Sequence, residues 1–196
     1  MIKLNMRYKG DRNYLQGGDF FDAITLSLLS ESGPGFLEKV RFKSFSKKQC
    51  FLVLNERPSQ NVRQIGNGLW LNDNGDETKF WIVEGEIAVA LRYPFDEDKL
   101  VSPSSVVEYM IKLEKNNEFS TIENIVALTK KLNYTLTPNV NGKWVFGQIE
   151  LLKSLPEAFD QIQVERISER KGVFSCNQIV IDKELIGEIR FIVGKP

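Results

Sequence analysis

The sequence predicts an α+β protein that consists mainly of antiparallel strands. Several segments alternate apolar and polar residues with period two, which is typical of half-buried strands, and Asn-Gly pairs at 74–75 and 141–142 predict turns. Other segments repeat apolar residues at helical spacing and begin with helix-capping residues. Apolar residues make up 42% and charged residues 27% of the 196, as expected for a globular chain.

The first 95 residues are predicted to form a strand, a helix and then further strands. Residues 3–9 indicate a strand that ends at the turn Gly10-Asp11. The helix is predicted over 19–30, with Asp19 at its cap or in its first turn, and the run Gly33-Pro34-Gly35 ends it. A loop at 56–68 and a type I′ hairpin turn at 74–75 are also predicted. The predicted strands of this part are 36–46, 51–54, 69–71, 79–83 and 87–93.

Residues 96–133 are predicted to form a two-helix connector. Both Ser105–Glu108 and Ser120–Glu123 match the capping box, in which a serine and a glutamate satisfy each other's backbone amides at a helix start. Helices over 105–115 and 121–132 follow, joined by the polar residues 115–118. Their apolar stripes need a surface to cover.

The last part of the chain, 134–196, returns to strands. A strand at 134–137, a hairpin turn at 141–142 and a strand at 144–147 are predicted first. Residues 149–155 are predicted as either a short helix or a continuing strand, ended by Pro156. Three consecutive strands follow at 159–167, 173–181 and 185–193.

A match within the chain predicts that 1–95 and 134–196 are related halves joined by 96–133. Residues 37–53 align with 159–175 without a gap, and apolar positions face apolar positions. Upstream, Gly147 occupies the place of Gly17-Gly18, just before a helix opens. The alternative is one larger α+β sheet whose alternating strands look alike.

A strand, a glycine-containing turn, a helix and a run of long antiparallel strands together resemble the hotdog fold, in which a sheet wraps one helix. The segment 14–23, YLQGGDFFDA, is similar to the loop that leads into the helix of hotdog thioesterases and acyl dehydratases. The repeat would make this chain a tandem, or double, hotdog. The dehydratases carry a histidine in this loop, whereas this chain has Tyr14 and Gln16 there and no histidine at all. Dehydration by an imidazole base is therefore excluded.

The resemblance implies an active site between two halves, where a backbone amide at the helix start faces a thioester carbonyl and an acid assists. A glycine lets the backbone approach the carbonyl, and the helix N-terminus supplies positive potential. Asp19 and Asp22 are the candidate catalytic acids, with helix capping as the structural alternative. The candidate substrate-binding residues are Tyr14, Gln16, Gly17, Gly18, Gly147 and Glu150, of which Glu150 is the equivalent acid of the second half.

Composition excludes several other classes of function. Lysine plus arginine and aspartate plus glutamate number 26 each, so no long-range field favours nucleic acid or an anionic membrane. Cys50 and Cys176 are expected to be buried reduced thiols, and two cysteines without histidine do not make a zinc site. We expect no cofactor. The first residues lack a signal-peptide pattern and no apolar run could span a bilayer, so we expect a cytoplasmic protein.

The resemblance implies a protein that binds an acyl chain as a coenzyme A or carrier-protein thioester, with hydrolysis or transfer led by a carboxylate, in fatty acid or polyketide metabolism. A degenerate, non-catalytic hotdog that binds a ligand or a partner is the first alternative. An unrelated α+β fold with a structural role is the second. A monomer and a homodimer both agree with fused halves.

Overall fold

The structure is a computed structural model that describes residues 1–115 and 118–195. The chain divides into two compact units, Met1–Phe95 and Asp96–Pro196. Both units contain mainly antiparallel strands with few helices, so the α+β class is confirmed.

The first unit is a five-stranded antiparallel sheet with one long helix and a small parallel ribbon. In the sheet the strand order is β1-β4-β6-β5-β3, and β2 pairs with β7 in the ribbon. Its elements are β1 (Ile2–Lys3), β2 (Tyr8–Lys9), α1 (Gly17–Ser32), β3 (Gly35–Phe42), β4 (Lys48–Leu54), β5 (Gln64–Asn72), β6 (Glu77–Ala88) and β7 (Arg92–Tyr93).

Helix α1 forms where the helical period predicted it. Its buried face carries Phe20, Phe21, Ile24 and Leu28, which recur at three- and four-residue spacing, and the ring of Phe20 lies 5.7 Å from that of Phe42 on β3. The helix ends at Gly33, whose φ of 79° is one that residues with a side chain rarely adopt.

The hairpin between β5 and β6 forms at the predicted Asn-Gly pair, but its turn is not type I′. Only Gly75 of the pair has a positive φ, of 87°, and its N–H donates to the carbonyl of Asn72 at 2.9 Å. A type I′ turn needs positive φ at both central residues. A different turn meets that condition. Between the last two strands of the chain, the consecutive residues Asp182 and Lys183 have φ of 51° and 71°.

The second unit is a six-stranded antiparallel sheet with one long helix and one short helix. Its strand order is β10-β13-β12-β11-β9-β8. Its elements are α2 (Glu97–Val101), β8 (Ser105–Val107), β9 (Met110–Glu114), α3 (Thr121–Leu136), β10 (Lys143–Leu151), β11 (Gln161–Arg170), β12 (Phe174–Ile181) and β13 (Glu184–Gly194).

The predicted two-helix connector is wrong. Residues 105–114 form the hairpin β8–β9, in which Ile111 and Leu113 are buried and pair with Val164 and Ile162 of β11. Alternate burial on a sheet outweighs the four-residue capping pattern at Ser105. Helix α3 begins as predicted, but it runs to Leu136 and packs on its own unit's sheet, so the strand predicted at 134–137 is wrong too. Residues 116 and 117 of the predicted linker lie outside the described residues.

The two units share a helix followed by four long strands, but their strand orders differ. In the first unit the strand after the helix, β3, pairs with the third strand, β5. In the second unit the strand after the helix, β10, pairs with the fourth, β13. The predicted alignment of 37–53 with 159–175 matches β3, the first strand after α1, with β11, the second strand after α3. The predicted alignment of the repeat is therefore wrong.

The core of the second unit contains a buried polar cluster that ties α3 to β11. Arg166 is 8% exposed, and its Nη2 donates to Oδ1 of Asn133 at 2.6 Å. Its Nη1 donates to Thr137 Oγ1 at 3.0 Å and to Glu169 Oε2 at 2.8 Å. Burial lowers the pKa of Arg166 below its usual value, and the adjacent Glu169 carboxylate offsets part of that shift.

Candidate functional site

The first turn of α1 has backbone N–H groups that are not capped by the side chain of the N-cap residue. Gln16 is the N-cap residue in an extended conformation, and the first intrahelical bond runs from Phe20 N to Gln16 O at 3.1 Å. The N–H groups of Gly17 and Gly18 precede that bond, so they have no acceptor within the helix. The partial positive charge of a helix N-terminus is concentrated at these amides.

The side chain of Gln16 adds a donor to this turn. Its Nε2 is buried, and no hydrogen-bond partner for it occurs in the described part of the chain. An unsatisfied buried amide group costs about 1–3 kcal/mol. An acceptor that reached this atom would remove that cost.

Gly18 leaves room beside these donors. The residue is buried, yet a Cβ placed on it would have no heavy atom of the described chain within 4 Å, apart from its chain neighbours and its own helix backbone. The helix would form without a glycine here, since its φ is not in the left-handed region. The absent side chain instead leaves space next to the amides of the first turn.

The loop before the helix is held by the link between β3 and β4. Leu15 N donates to the carbonyl of Ser46 at 2.9 Å. The ring of Tyr14, 9% exposed, meets the ring of Phe45 edge to face at 5.1 Å. Tyr14 thus contributes an aromatic contact that anchors the loop.

Asp19 lies in the first turn and is bound by two residues of the β2–β7 ribbon. Its Oδ1 accepts from Tyr93 Oη at 2.8 Å and forms an ion pair with Lys9 Nζ at 3.3 Å. Lys9 is 5% exposed, and its ammonium stands 3.9 Å from the centre of the Phe95 ring. This arrangement makes Asp19 a fixed, ion-paired carboxylate that attaches the helix start to the ribbon.

Sequence reasoning missed Lys9 and Tyr93. They are 10 and 74 residues from Asp19, and each lies on a two-residue strand. Nothing local in the sequence marks either residue.

Asp22 lies one helical turn after Asp19. It is half-buried on α1, three residues further along the helix. The structure thus groups six of the predicted site residues, 14, 16, 17, 18, 19 and 22, at one end of α1.

Gly147 and Glu150, the predicted site residues of the second unit, lie on a strand and not at the start of a helix. Both are on β10, where Gly147 sits at a register shift between Phe146 and Gln148, and Glu150 is exposed and accepts from Gln148 Nε2 at 2.6 Å. The helix that their predicted equivalence with Gly17 and Asp19 requires does not form. The equivalence is therefore wrong, because residues 149–151 continue the strand.

The start of α3 has a different character from the start of α1. Ser120 Oγ accepts from Glu123 N at 3.3 Å, and Glu123 Oε2 accepts from Ser120 N at 2.9 Å, so the predicted capping box is confirmed here. Side chains thus occupy amides at this helix start, whereas at α1 no such cap is present.

The cysteines are poor nucleophiles in this structure. Both are free and buried, and burial raises the pKa of Cys50 to about 11 and also raises the pKa of Cys176. Among the described residues no group of three or more His, Cys, Asp or Glu side chains could hold a metal ion. In that same part of the chain, no helix combines the length and the apolar character that a membrane span requires.

Comparison with known proteins finds a likeness only among solved structures. No protein-family model matches the sequence, and no curated protein matches it. A candidate thioesterase from Novosphingobium aromaticivorans DSM 12444 superimposes with a TM-score of 0.50 at 11% identity, over 98% of this chain and 93% of that one. The dehydratase domain of a mycocerosic acid synthase-like polyketide synthase gives a TM-score of 0.50 at 5% identity, over 98% of this chain and 86% of that one.

The likeness at these identities is one of fold. The fold of this chain resembles the hotdog fold, as the sequence predicted. Fold alone does not carry activity, so any activity of this chain depends on the residues of its site.

Proposed function

We propose that the chain binds an acyl thioester, carried by coenzyme A or by a carrier protein, at the start of α1. The observation that carries this proposal is the buried Nε2 of Gln16, which has no acceptor within the described residues. It adjoins the uncapped amides of Gly17 and Gly18. Together these groups form a set of donors suited to one carbonyl oxygen.

The space beside Gly18 supports the same proposal. A thioester carbonyl has to come within about 3 Å of backbone N–H groups to accept from them. A side chain at position 18 would stand in that approach, and Gly18 has none. The fold likeness to a thioesterase and a dehydratase agrees with an acyl ligand.

Two carboxylates lie close enough in sequence to act on a ligand held there. Without histidine, Asp19 and Asp22 are the proposed proton-transfer groups, one as a base toward water or as an acid toward the leaving group. Oδ1 of Asp19 is bound to Lys9 and Tyr93.

The second candidate function is binding without catalysis. It is favoured by the same contacts of Asp19, which hold the first-turn acid as a structural anchor. In that case the protein would sequester or present an acyl thioester, and both aspartates would serve only the helix start.

A binding experiment with Gln16→Glu tests the proposal. The substitution keeps the shape of the side chain and replaces the donor Nε2 by an oxygen, which repels a carbonyl. Isothermal titration with acyl-coenzyme A of several chain lengths should show binding by the wild type and a loss of about tenfold or more in the variant. Gln60→Glu, at an exposed loop position, makes the same chemical change and should leave binding unaltered.

Catalysis is tested separately by thioester hydrolysis. If the wild type hydrolyses the thioester, Asp22→Asn should lower turnover while affinity is retained. Equal turnover in wild type and variant would remove Asp22 from the mechanism. Absence of binding of any acyl-coenzyme A or acyl-carrier protein by the wild type would reject the proposed function altogether.

A further inference from the structure

A buried serine lies beneath the loop that carries the proposed donors. Ser46 is 1% exposed, and its Oγ donates to Glu84 Oε2 at 2.6 Å and accepts from Lys48 N at 3.1 Å. The bond to the carboxylate is short, as charge-assisted bonds are. It holds the link between β3 and β4 against β6.

Glu84 is in turn held by an arginine. Its side chain is 7% exposed, and its Oε1 lies 3.0 Å from Nη1 of Arg63. The same guanidinium donates through Nη2 to the carbonyl of Phe45 at 3.0 Å. Arg63 therefore binds both the Glu84 carboxylate and the backbone next to Ser46. The two nitrogens of a guanidinium can make both bonds at once in a fixed geometry, whereas an ammonium group cannot.

These contacts reach the donor loop through Ser46 and Phe45. The carbonyl of Ser46 accepts from Leu15 N, and the ring of Phe45 meets Tyr14. Leu15 immediately precedes Gln16, so the clamp is one residue from the donor-bearing turn. We call Arg63, Glu84 and Ser46 the loop clamp.

We propose that the loop clamp is a set of positioning residues that holds Gln16, Gly17 and Gly18 at the separation an acyl carbonyl requires. The inference rests on the proposed function of these donors. Donors act on a developing oxyanion only if their geometry is fixed in advance, since reorganisation would consume the gain. A site whose supporting contacts are missing can be about 1 Å too loose to act.

Arg63 is the exposed member of the loop clamp. Its side chain is 59% exposed, whereas that of Glu84 is 7% exposed, so removal of Arg63 also takes the cation away from a nearly buried carboxylate. Two directed bonds from the guanidinium hold Glu84 and the carbonyl of Phe45. Removal of Arg63 should therefore loosen the loop and weaken ligand binding, and Arg63→Lys, which keeps a cation beside Glu84, separates the loss of the fork from the loss of the charge.

The test combines amide hydrogen exchange with acyl-coenzyme A titration on the full chain. In Arg63→Ala, exchange at the Leu15 amide should rise about tenfold and affinity for the acyl-coenzyme A that the wild type binds should fall by a similar factor. Arg63→Lys, which keeps the charge but not the fork, should recover only part of the affinity. The matched control is Lys153→Ala, which breaks the exposed ion pair with Glu184 in the second unit and should alter neither readout.

The outcomes separate the two proposals. If the wild type binds but Arg63→Ala keeps the wild-type affinity or the wild-type exchange at Leu15, the clamp is overturned and the proposed function stands. If the wild type binds no acyl thioester, the proposed function fails, and the clamp as a positioning device for it fails too. Glu84→Gln, which retains a group able to bond Ser46, repeats the test should Arg63→Ala fold poorly.

Discussion

Lys9 and Asp19 form an ion pair whose side chains are 6% and 13% exposed, with Nζ 3.3 Å from Oδ1. The pair joins the β2–β7 ribbon to the first turn of α1. Because both charges have left water, each depends on the other for solvation, and the two cannot be changed singly without loss.

Asp19→Asn is expected to destabilise the fold by about 3–5 kcal/mol, because it removes the charge of a carboxylate that is paired with the buried Lys9 ammonium. The double variant Lys9→Met, Asp19→Asn should lose less than the single Asp19 variant. Urea unfolding of all four members of this cycle measures the coupling. Additive losses would show that the pair is not coupled. The exposed pair Lys99–Glu118, treated in the same way, should show coupling of at most about 1 kcal/mol.

Gly18→Ala should affect stability and ligand binding in opposite directions. Alanine loses less backbone entropy than glycine in a helix, and no heavy atom of the described chain, outside its neighbours and its own helix, would contact the new methyl group. We expect about 0.5–1 kcal/mol of added stability and weaker binding of acyl-coenzyme A. Ser30→Ala, on the exposed part of α1, should stabilise slightly and leave binding intact. Tighter binding by the Gly18 variant would contradict the site.

The thiol of Cys50 makes stability depend on pH in the alkaline range. Burial raises its pKa from 9.0 to about 11. As the pH rises, the thiol ionises in the unfolded chain before it ionises in the folded one. Its contribution to the free energy of unfolding is therefore fully present below pH 9 and is lost as the pH rises toward about 11. The loss is about 2–3 kcal/mol. Urea unfolding of wild type and Cys50→Ala at about pH 8 and about pH 10.5 isolates it, since the other titrating groups are common to both. Parallel pH profiles would refute the prediction.

Asn133→Leu should destabilise the second unit by about 2–3 kcal/mol, since it deprives a buried guanidinium nitrogen of Arg166 of its acceptor. Asn133→Asp keeps an oxygen at the same place and should cost less. Thermal and urea unfolding of the two variants compare them directly. A leucine variant as stable as the aspartate variant would mean that Arg166 finds another acceptor.

Local patterns predicted the elements whose formation depends on neighbouring residues. The spacing of Phe20, Ile24 and Leu28 predicted α1, and all three are buried on its inner face. The serine–glutamate pair at 120 and 123 predicted the start of α3, and both reciprocal bonds are present. The same motif at Ser105 predicted a helix wrongly, because pairing with β11 buries Ile111 and Leu113 on alternate positions.

The candidate site was predicted only in part. The six residues Tyr14, Gln16, Gly17, Gly18, Asp19 and Asp22 lie within the short stretch 14–22 of the sequence, and the structure keeps them together at one helix end. Lys9 and Tyr93, which bind Asp19, come from strands of two residues each, and no pattern in so short a segment predicts its partner. Gly147 and Glu150 were placed by analogy with the first half, and the strand β10 overrides that analogy.

By itself the sequence determined the α+β class, a first helix predicted over 19–30, the cap at Ser120, the lack of an imidazole and the resemblance to the hotdog fold. Only the tertiary structure decided the order of the strands in each unit, the hairpin at 105–114, and the partners of Asp19 and Ser46. The reason is one of range. Helical period, caps and composition act between residues within a few positions of each other, whereas a strand or a buried charge selects its partner among many similar candidates far along the chain, and only the packed fold distinguishes them.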